Sequence, residues 1–524
     1  MLLKLISSLP AGNRMKNKQK ANDGFKIVLT ADRALMSHYY NFSGLGFVSA
    51  LPCNIFPSFF SDRFFPLESD EQGRMLAAQL GLCRIEAALL DYGFSSTEVI
   101  ISDPTKLNLT IGPKTKAVGI GVLDPLGLSY GGKVVSFVLR RFGLRCKETI
   151  MARSFKNLIS DPALKRYKPK IIVGGQGVWQ IVDSGMQESL GIDCIVEGEG
   201  EEVIGGIFEK AVRGEDLQKI VRGKSVSPDR IPLIRTPSRC GIIEITRGCN
   251  RNCSFCAPGV HQFRSLPKER ILEEIKLNIK SGINGTSLQS EDALLYGSDG
   301  LKPNPNALMD LMKSIRFLGT KELGMGFEFF SISSIMQNPK LVEEISEFLG
   351  LYGDKYSVVE VGVETGSPRL LSKYMPGKVR PFKVSDWKDM VLSSASLLHS
   401  NNWRVCYSFI LGLPGETRDD ILKSLELVDD MKKYNCVIVP IIFMPAGSLR
   451  KRGDFNFESM TNEYWQLFQE CLEQTLSKAS SFLTSDSITK NVRNNLIRAV
   501  FYCGRLRLRS LTKKKEQCNS KSDY

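Results

Sequence analysis

Short apolar runs separated by polar, helix-compatible segments recur through most of this chain. Runs at 25–30, 98–101, 117–123, 170–173 and 193–196 are bounded by turn residues. A short, nearly continuous apolar run between breakers predicts a strand buried on both faces. Between the first two runs, 77–92 carries Leu80, Ile85, Leu89 and Leu90 at helical spacing. This alternation predicts an α/β domain built on a doubly wound parallel sheet over 25–225, with an N-terminal extension. The stretch 219–239 then interrupts the pattern with Pro228, Pro232, Pro237 and several basic residues, and it reads as a linker. Six further runs follow, at 242–246, 285–289, 326–330, 357–363, 404–411 and 437–443. Among the intervening helices, 268–280 sets Ile271, Ile275 and Ile279 on one face. A second α/β domain is therefore expected over 240–450.

The flanks differ. Residues 1–24 read as a disordered leader, 42–70 are rich in Phe and Pro without a period, and 512–524 form a basic, polar tail. A helical region is expected at 451–511. Its aromatics Phe457, Tyr464, Trp465 and Phe468 suit packing against the second domain better than substrate contact. At 524 residues, two or three domains are expected. Most of the 13 cysteines, such as Cys83, Cys194, Cys406 and Cys436, stand singly in apolar surroundings and do not form a disulfide framework. No apolar run is long enough to span a membrane, and 1–10 lacks the form of a signal peptide. The net charge of +14 sits at the ends. Residues 1–26 hold six basic groups against one acid, and 487–515 hold nine with none. Such ends suit nucleic acid or an acidic partner, but a solubilising tail is the plainer reading, so nucleic acid is not the expected partner.

The chemistry concentrates in one loop. Cys249, Cys253 and Cys256 are spaced C-x3-C-x2-C directly after the run at 242–246. Thiolates bind iron–sulfur clusters, and a cubane held by three cysteines keeps one iron open to another ligand. A zinc site would need a fourth ligand, for which His261 is the nearby candidate. The triplet, with Phe255 just before its third cysteine, resembles the radical SAM enzymes. That resemblance implies a 4Fe-4S cluster whose open iron chelates S-adenosylmethionine (SAM), and hence a reducing cytoplasm. The six runs of the second domain match the strand count of that family's (β/α)6 partial TIM barrel.

Candidate SAM contacts lie at strand ends. Glu291 and Asp292 follow the second run, where they suit the amino group of SAM or equally the start of a helix. Gly362-Val-Glu-Thr-Gly-Ser367 is similar to the Gly-x-Glu-Ser/Thr-Gly-Ser stretch of cobalamin-type and related radical SAM proteins. The likeness implies that Glu364 or Thr365 faces the methionine or ribose. Leu411 precedes Gly412-Leu-Pro-Gly-Glu-Thr417, where the family packs the adenine. Thr417 with Asp420 also forms a capping box, so part of that motif is structural.

Three loops of the first domain fall at the carboxyl ends of strands, where open sheets bind ligands. They are Asp124-Pro-Leu-Gly127, Gly174-Gly-Gln-Gly-Val-Trp179 and Glu197-Gly-Glu-Gly-Glu-Glu202. A single glycine-rich loop usually only turns the chain. In this order, ahead of the cysteine triplet, they resemble a cobalamin-binding domain. The implied contacts are Asp124, Leu126, Gly174, Gly175, Gln176, Glu197 and Gly198. Many such domains place a histidine two residues after the aspartate, where this chain has Leu126. A cobalamin bound here would lack a histidine lower ligand, as is common in cobalamin-dependent radical SAM methyltransferases.

The combined resemblance, over about 95–450, implies methyl transfer to an unactivated sp3 carbon. In that family a deoxyadenosyl radical from SAM abstracts hydrogen, and the carbon then captures methyl from methylcobalamin. Thr30-Ala-Asp-Arg-Ala-Leu-Met-Ser37, 85–92 and 124–127 look like archaeal members, some of which methylate a glutamine of methyl-coenzyme M reductase. The implied partners are thus a protein or peptide substrate and a reduced ferredoxin- or flavodoxin-type electron donor. Rival readings are another radical SAM reaction (oxidation, rearrangement or methylthiolation) and an iron–sulfur RNA-binding or electron-transfer protein.

Overall fold

The computed structural model describes residues 23–39, 43–53, 65–134, 148–257, 262–318, 324–453, 455 and 460–478. Residues 1–22, His261, Phe457, the helical expectation beyond 478 and the basic tail lie outside the described residues.

The first domain is a six-stranded parallel sheet. Its strands are β1 (Ile27–Ala31), β2 (Val99–Ile101), β3 (Ala117–Gly121), β4 (Lys170–Gly174), β5 (Cys194–Gly198) and β6 (Ile220–Gly223), in the order 2-1-3-4-5-6. Every residue of β1 and β2 is buried, as the continuous apolar runs predict for a sheet with helices on both faces. The order reverses between β1 and β3, which opens a crevice at the carboxyl edge. β6 lies in the stretch 219–239 that the sequence marks as a linker. It is an edge strand of alternating exposure, Ile-Val-Arg-Gly, and so lacks the apolar run that marks the others. The rest of the linker is packed too, with Val226, Ile231 and Ile234 buried in a core shared by both domains.

The second domain holds β7 (Ile242–Glu244), a two-residue ribbon of β8 (Thr246–Arg247) and β9 (Arg264–Ser265), then β10 (Gly285–Gln289), β11 (Gly324–Phe327), β12 (Phe329–Phe330), β13 (Ser357–Glu364), β14 (Trp403–Leu411) and β15 (Cys436–Ile442). The long strands are parallel, in the order 7-10-11 and 12-13-14-15. Only Glu328 separates β11 from β12, and its carbonyl accepts from the Glu360 N–H at 2.9 Å. Residues 324–330 therefore act as one strand, and the domain is a six-stranded (β/α)6 partial barrel. The helix Asn462–Lys478 covers the outer strand: Thr475 Oγ1 accepts from Ile438 N at 3.1 Å, and Gln474 Nε2 donates to the Cys436 carbonyl at 3.2 Å. Its Tyr464 and Phe468 are buried, consistent with packing against the barrel.

The helix Leu80–Tyr92 joins the domains. Its Arg84 is buried and pairs with Glu274 of the helix Lys268–Lys280, with Nη2 to Oε2 at 3.0 Å.

Candidate active site

The cysteine loop follows β8 and turns through Gly248 (φ 78°) and Asn252 (φ 51°). Cys249, Cys253 and Cys256 are half-buried. Among the described residues, no three His, Cys, Asp or Glu side chains converge as ligands of a single metal ion.

Arg251, between the first two cysteines, pins the loop to the barrel. It is buried, and its Nη2 donates to Asp292 Oδ2 at 2.9 Å and to Ser334 Oγ at 2.7 Å. The other side of the loop is held by Ser254 N donating to the Tyr374 carbonyl at 2.7 Å. Burial pushes the Cys249 and Cys253 thiols up, while Arg251 acts against it at Cys249 and Lys378 at Cys253. Lys378 Nζ bonds Glu364 Oε1 at 2.8 Å, and its side chain is 13% exposed. Burial alone would favour loss of its proton, but Glu364 and the nearby Cys253 and Cys256 outweigh that and hold the ammonium above its ordinary range. A fixed cation beside two thiols fits an anionic cluster.

The residues expected around SAM divide into two groups. Phe255 is half-buried within the cysteine loop. Glu291 is open to solvent yet recessed at the barrel mouth, and loss of surrounding water with repulsion from Glu244 pushes its carboxyl up to about 7. Glu364 takes a left-handed φ of 69° at the end of β13, and also accepts from Ser408 Oγ at 3.1 Å. These three stand at or beside the cysteine loop. Asp292, Thr365 and Leu411 are instead used internally. Asp292 neutralises Arg251, and the Thr365 carbonyl accepts from Trp387 Nε1 at 2.9 Å. Leu411 is fully buried. Arg251 and Lys378 were missed, because neither has a local pattern that separates it from a surface cation.

The expected cobalamin contacts all fall along the carboxyl edge of the first sheet, at or just beyond the ends of β3, β4 and β5. Asp124 is buried and shapes its own loop. It accepts from Gln180 Nε2 at 2.7 Å, Ser129 N at 2.9 Å and Ser129 Oγ at 2.7 Å. Gln180 Oε1 in turn accepts from Leu126 N at 2.9 Å. Gly175 (φ 108°) lets the β4 loop lie on the β3 loop, since a Cβ there would meet the Val122 carbonyl at 2.6 Å. Gly175, Gln176 and Gly198 are exposed, and Leu126 and Gly174 half-buried. Glu197 is bonded to Arg222 and Arg450, both at 3.1 Å. Beside these loops, Leu123, Leu128 and Tyr130 are left 42%, 37% and 47% exposed. Three large apolar side chains exposed within eight residues of a ligand edge suit a flat, largely apolar group. Glu360, Glu364 and Glu291 of the barrel act electrostatically on Tyr130, so this edge faces the barrel mouth.

A family model for the radical SAM superfamily matches residues 243–428. Residues 243–428 form a radical SAM domain. Such a domain implies a 4Fe-4S cluster and SAM, which the cysteine loop and its fixed cation fit. Ribosomal protein uS12 methylthiotransferase RimO from Leptospira biflexa is 26% identical over 200 residues, 38% of this chain and 41% of that protein. The tRNA-2-methylthio-N(6)-dimethylallyladenosine synthase of Malacoplasma penetrans is 22% identical over 356 residues, 66% of this chain and 68% of the relative. The chain thus spans about two fifths of the length of that RimO protein. Among solved structures, the radical SAM methyltransferase TsrM from Kitasatospora setae, with cobalamin and a 4Fe-4S cluster bound, superposes with a TM-score of 0.53. Its sequence is 14% identical, and the match covers 81% of this chain and 74% of TsrM. That likeness is one of fold.

Proposed function

We propose that this protein is a cobalamin-dependent radical SAM methyltransferase acting on an unactivated sp3 carbon. The observation that carries the reading is the meeting of two edges: the carboxyl edge of the first sheet, with its exposed apolar loop, is bonded to the radical SAM barrel through Arg247 and Arg450. When bound, the cluster supplies the electron that splits SAM and cobalamin supplies the methyl group. Cys249, Cys253 and Cys256 would hold the cluster, with Lys378 balancing its charge. Leu126, Gly174, Gly175, Gln176 and Gly198 would border the corrin. Leu126 is a hydrocarbon side chain two residues after Asp124, where many such domains carry a histidine. Placing two reactive groups in one fixed geometry is what the protein contributes to such chemistry.

The acceptor we propose is a protein or peptide, with a glutamine of methyl-coenzyme M reductase as the specific candidate and a reduced ferredoxin- or flavodoxin-type protein as electron donor. This rests on the resemblance of 30–37, 85–92 and 124–127, segments that here serve packing: Asp32 caps the helix Arg33–Met36, and the Ser37 carbonyl accepts from Arg239 Nη1 at 2.6 Å. Unchanged masses of all reductase peptides in a deletion strain would remove that candidate.

A second reading, methylthiolation, is favoured by the names of the curated relatives. Against it, the cysteines of the first 225 residues stand singly at 53, 83, 146 and 194, with no second clustered set. Anaerobic reconstitution with iron and sulfide, followed by SAM turnover with and without hydroxocobalamin, separates the readings. Retained cobalamin with 5′-deoxyadenosine and S-adenosylhomocysteine supports methyl transfer. Turnover without cobalamin binding would sink the methylcobalamin route.

A further inference from the structure

The loop at 197–202 is a candidate cofactor loop, but its Glu197, Glu199 and Glu201 carboxylates bond to the second domain. Arg247, two residues before the first cluster cysteine, places Nη1 at 2.7 Å from both Glu199 Oε2 and Glu201 Oε1. Its other nitrogens hold Glu244 of β7 at 2.8 and 2.9 Å. Arg264, the β9 partner of Arg247, also bonds Glu199. The turn reaches the far end of the cysteine loop as well. Glu197 bonds Arg450, whose segment is built onto that loop: Ser448 Oγ and Leu449 N donate to the Ser254 carbonyl at 3.1 and 3.3 Å. Gly447 (φ 55°) permits the contact, since a Cβ there would meet the carbonyls of Cys256 and Ser254 at 2.7 and 2.8 Å. A five-residue turn of one domain thus brackets the cysteine loop of the other from both ends.

We propose that the turn Glu197–Glu201 is a clasp that couples the two cofactor sites, with Arg247 as its positioning residue. The far side of the coupling, cobalamin at the sheet edge, rests on the function proposed above; the cysteine-loop side does not. Arg247, Glu199, Glu201 and Glu244 are each at most 16% exposed. Shifting the turn against the cysteine loop would strand a buried charge, which is strongly unfavourable. The two segments therefore move together. Binding that stiffens the cysteine loop stiffens the turn, and the distance from the sheet edge to the cluster is set by this network rather than by the shared apolar core alone.

Hydrogen exchange on the anaerobic, cluster-reconstituted full chain tests this. Adding SAM to the wild type is expected to slow amides in 248–257, at the binding site, and also in 199–203, by about tenfold. In Arg247→Gln the slowing at 248–257 persists and that at 199–203 is lost, while Arg247→Lys restores part of it. If Arg247→Gln fails to take up iron, the double variant Glu199→Gln/Glu201→Gln provides the comparison, because it removes both carboxylates of the turn from Arg247 and leaves Arg247 bonded to Glu244. Slowing at 199–203 that is absent in the wild type, or that survives in the variant compared, overturns the clasp. Hydroxocobalamin, added alone, is expected to slow 122–130 and 174–180. Failure there overturns the cobalamin reading and leaves the SAM comparison to decide the clasp.

Discussion

The strands of the two domains are built on opposite plans. β1 is buried at all five positions, because helices cover both faces of the first sheet. β14 alternates: Trp403, Val405, Tyr407 and Phe409 are buried, while Arg404, Cys406 and Ser408 are half-buried. The outer set packs under helices, as the bond from Trp403 Nε1 to Ser346 Oγ at 2.8 Å shows, and the inner set faces the barrel interior beside Glu364. A doubly covered sheet leaves chemistry only at its edge. A barrel with one face covered can line its interior with polar groups such as Glu244, Ser287, Glu328 and Glu360. Reactive groups are therefore expected on strand faces in the second domain and only in loops in the first.

The largest effect that would break this comparison concerns the loop itself. Replacing Cys249, Cys253 or Cys256 with Ala is expected to abolish cluster assembly and 5′-deoxyadenosine formation while leaving the fold intact; iron content and SAM turnover check it. Next comes the pin beneath that loop. Arg251→Met strands Asp292 as a buried charge, at a cost of about 3–5 kcal/mol, and is expected to lower iron uptake; a denaturant midpoint beside that of wild type measures it. A smaller, direct contrast pairs Leu29→Ala in β1 with Cys406→Ala in β14. The first removes a fully buried side chain and should cost about 2–5 kcal/mol. The second faces the barrel interior and should cost under about 1.5 kcal/mol. Equal losses would erase the distinction between the two plans.

A further effect is one of pH. Burial raises the Asp32 carboxyl to about 7 from an ordinary 3.8. The folded state therefore holds a proton between those values that the unfolded chain has released. Its contribution is fully present below about pH 4 and lost as pH rises through about 7. Asp32→Asn keeps a capping side chain without the ionisation. It should flatten the fall in stability between pH 4 and 7, by up to about 4 kcal/mol; midpoints at several pH values decide it.

Legibility followed the same division. The apolar runs located β1 to β5 and the strands of the barrel to within a few residues, since burial on one or both faces writes a period into the chain. The edge strand β6, polar and half-exposed, carried no such mark. Three cysteines in eight residues were readable because their ligand chemistry is local. The roles of the acids were not. Asp292 and Glu291 are adjacent and alike in type, yet one is locked to Arg251 and the other stands open at the barrel mouth.

By itself the sequence determined the α/β plan, the order of the two domains and the spacing of the three cysteines proposed to hold a cluster, because each is encoded by spacing along a few neighbouring residues. Tertiary structure decided which charges meet. Arg251 finds Asp292 across 41 positions, and Arg247 finds Glu201 across 46. Ion pairs of that kind leave no period in the chain. They exist only once the fold has brought distant segments together, within one domain for the first pair and across two for the second, and burial has made every unpaired charge costly.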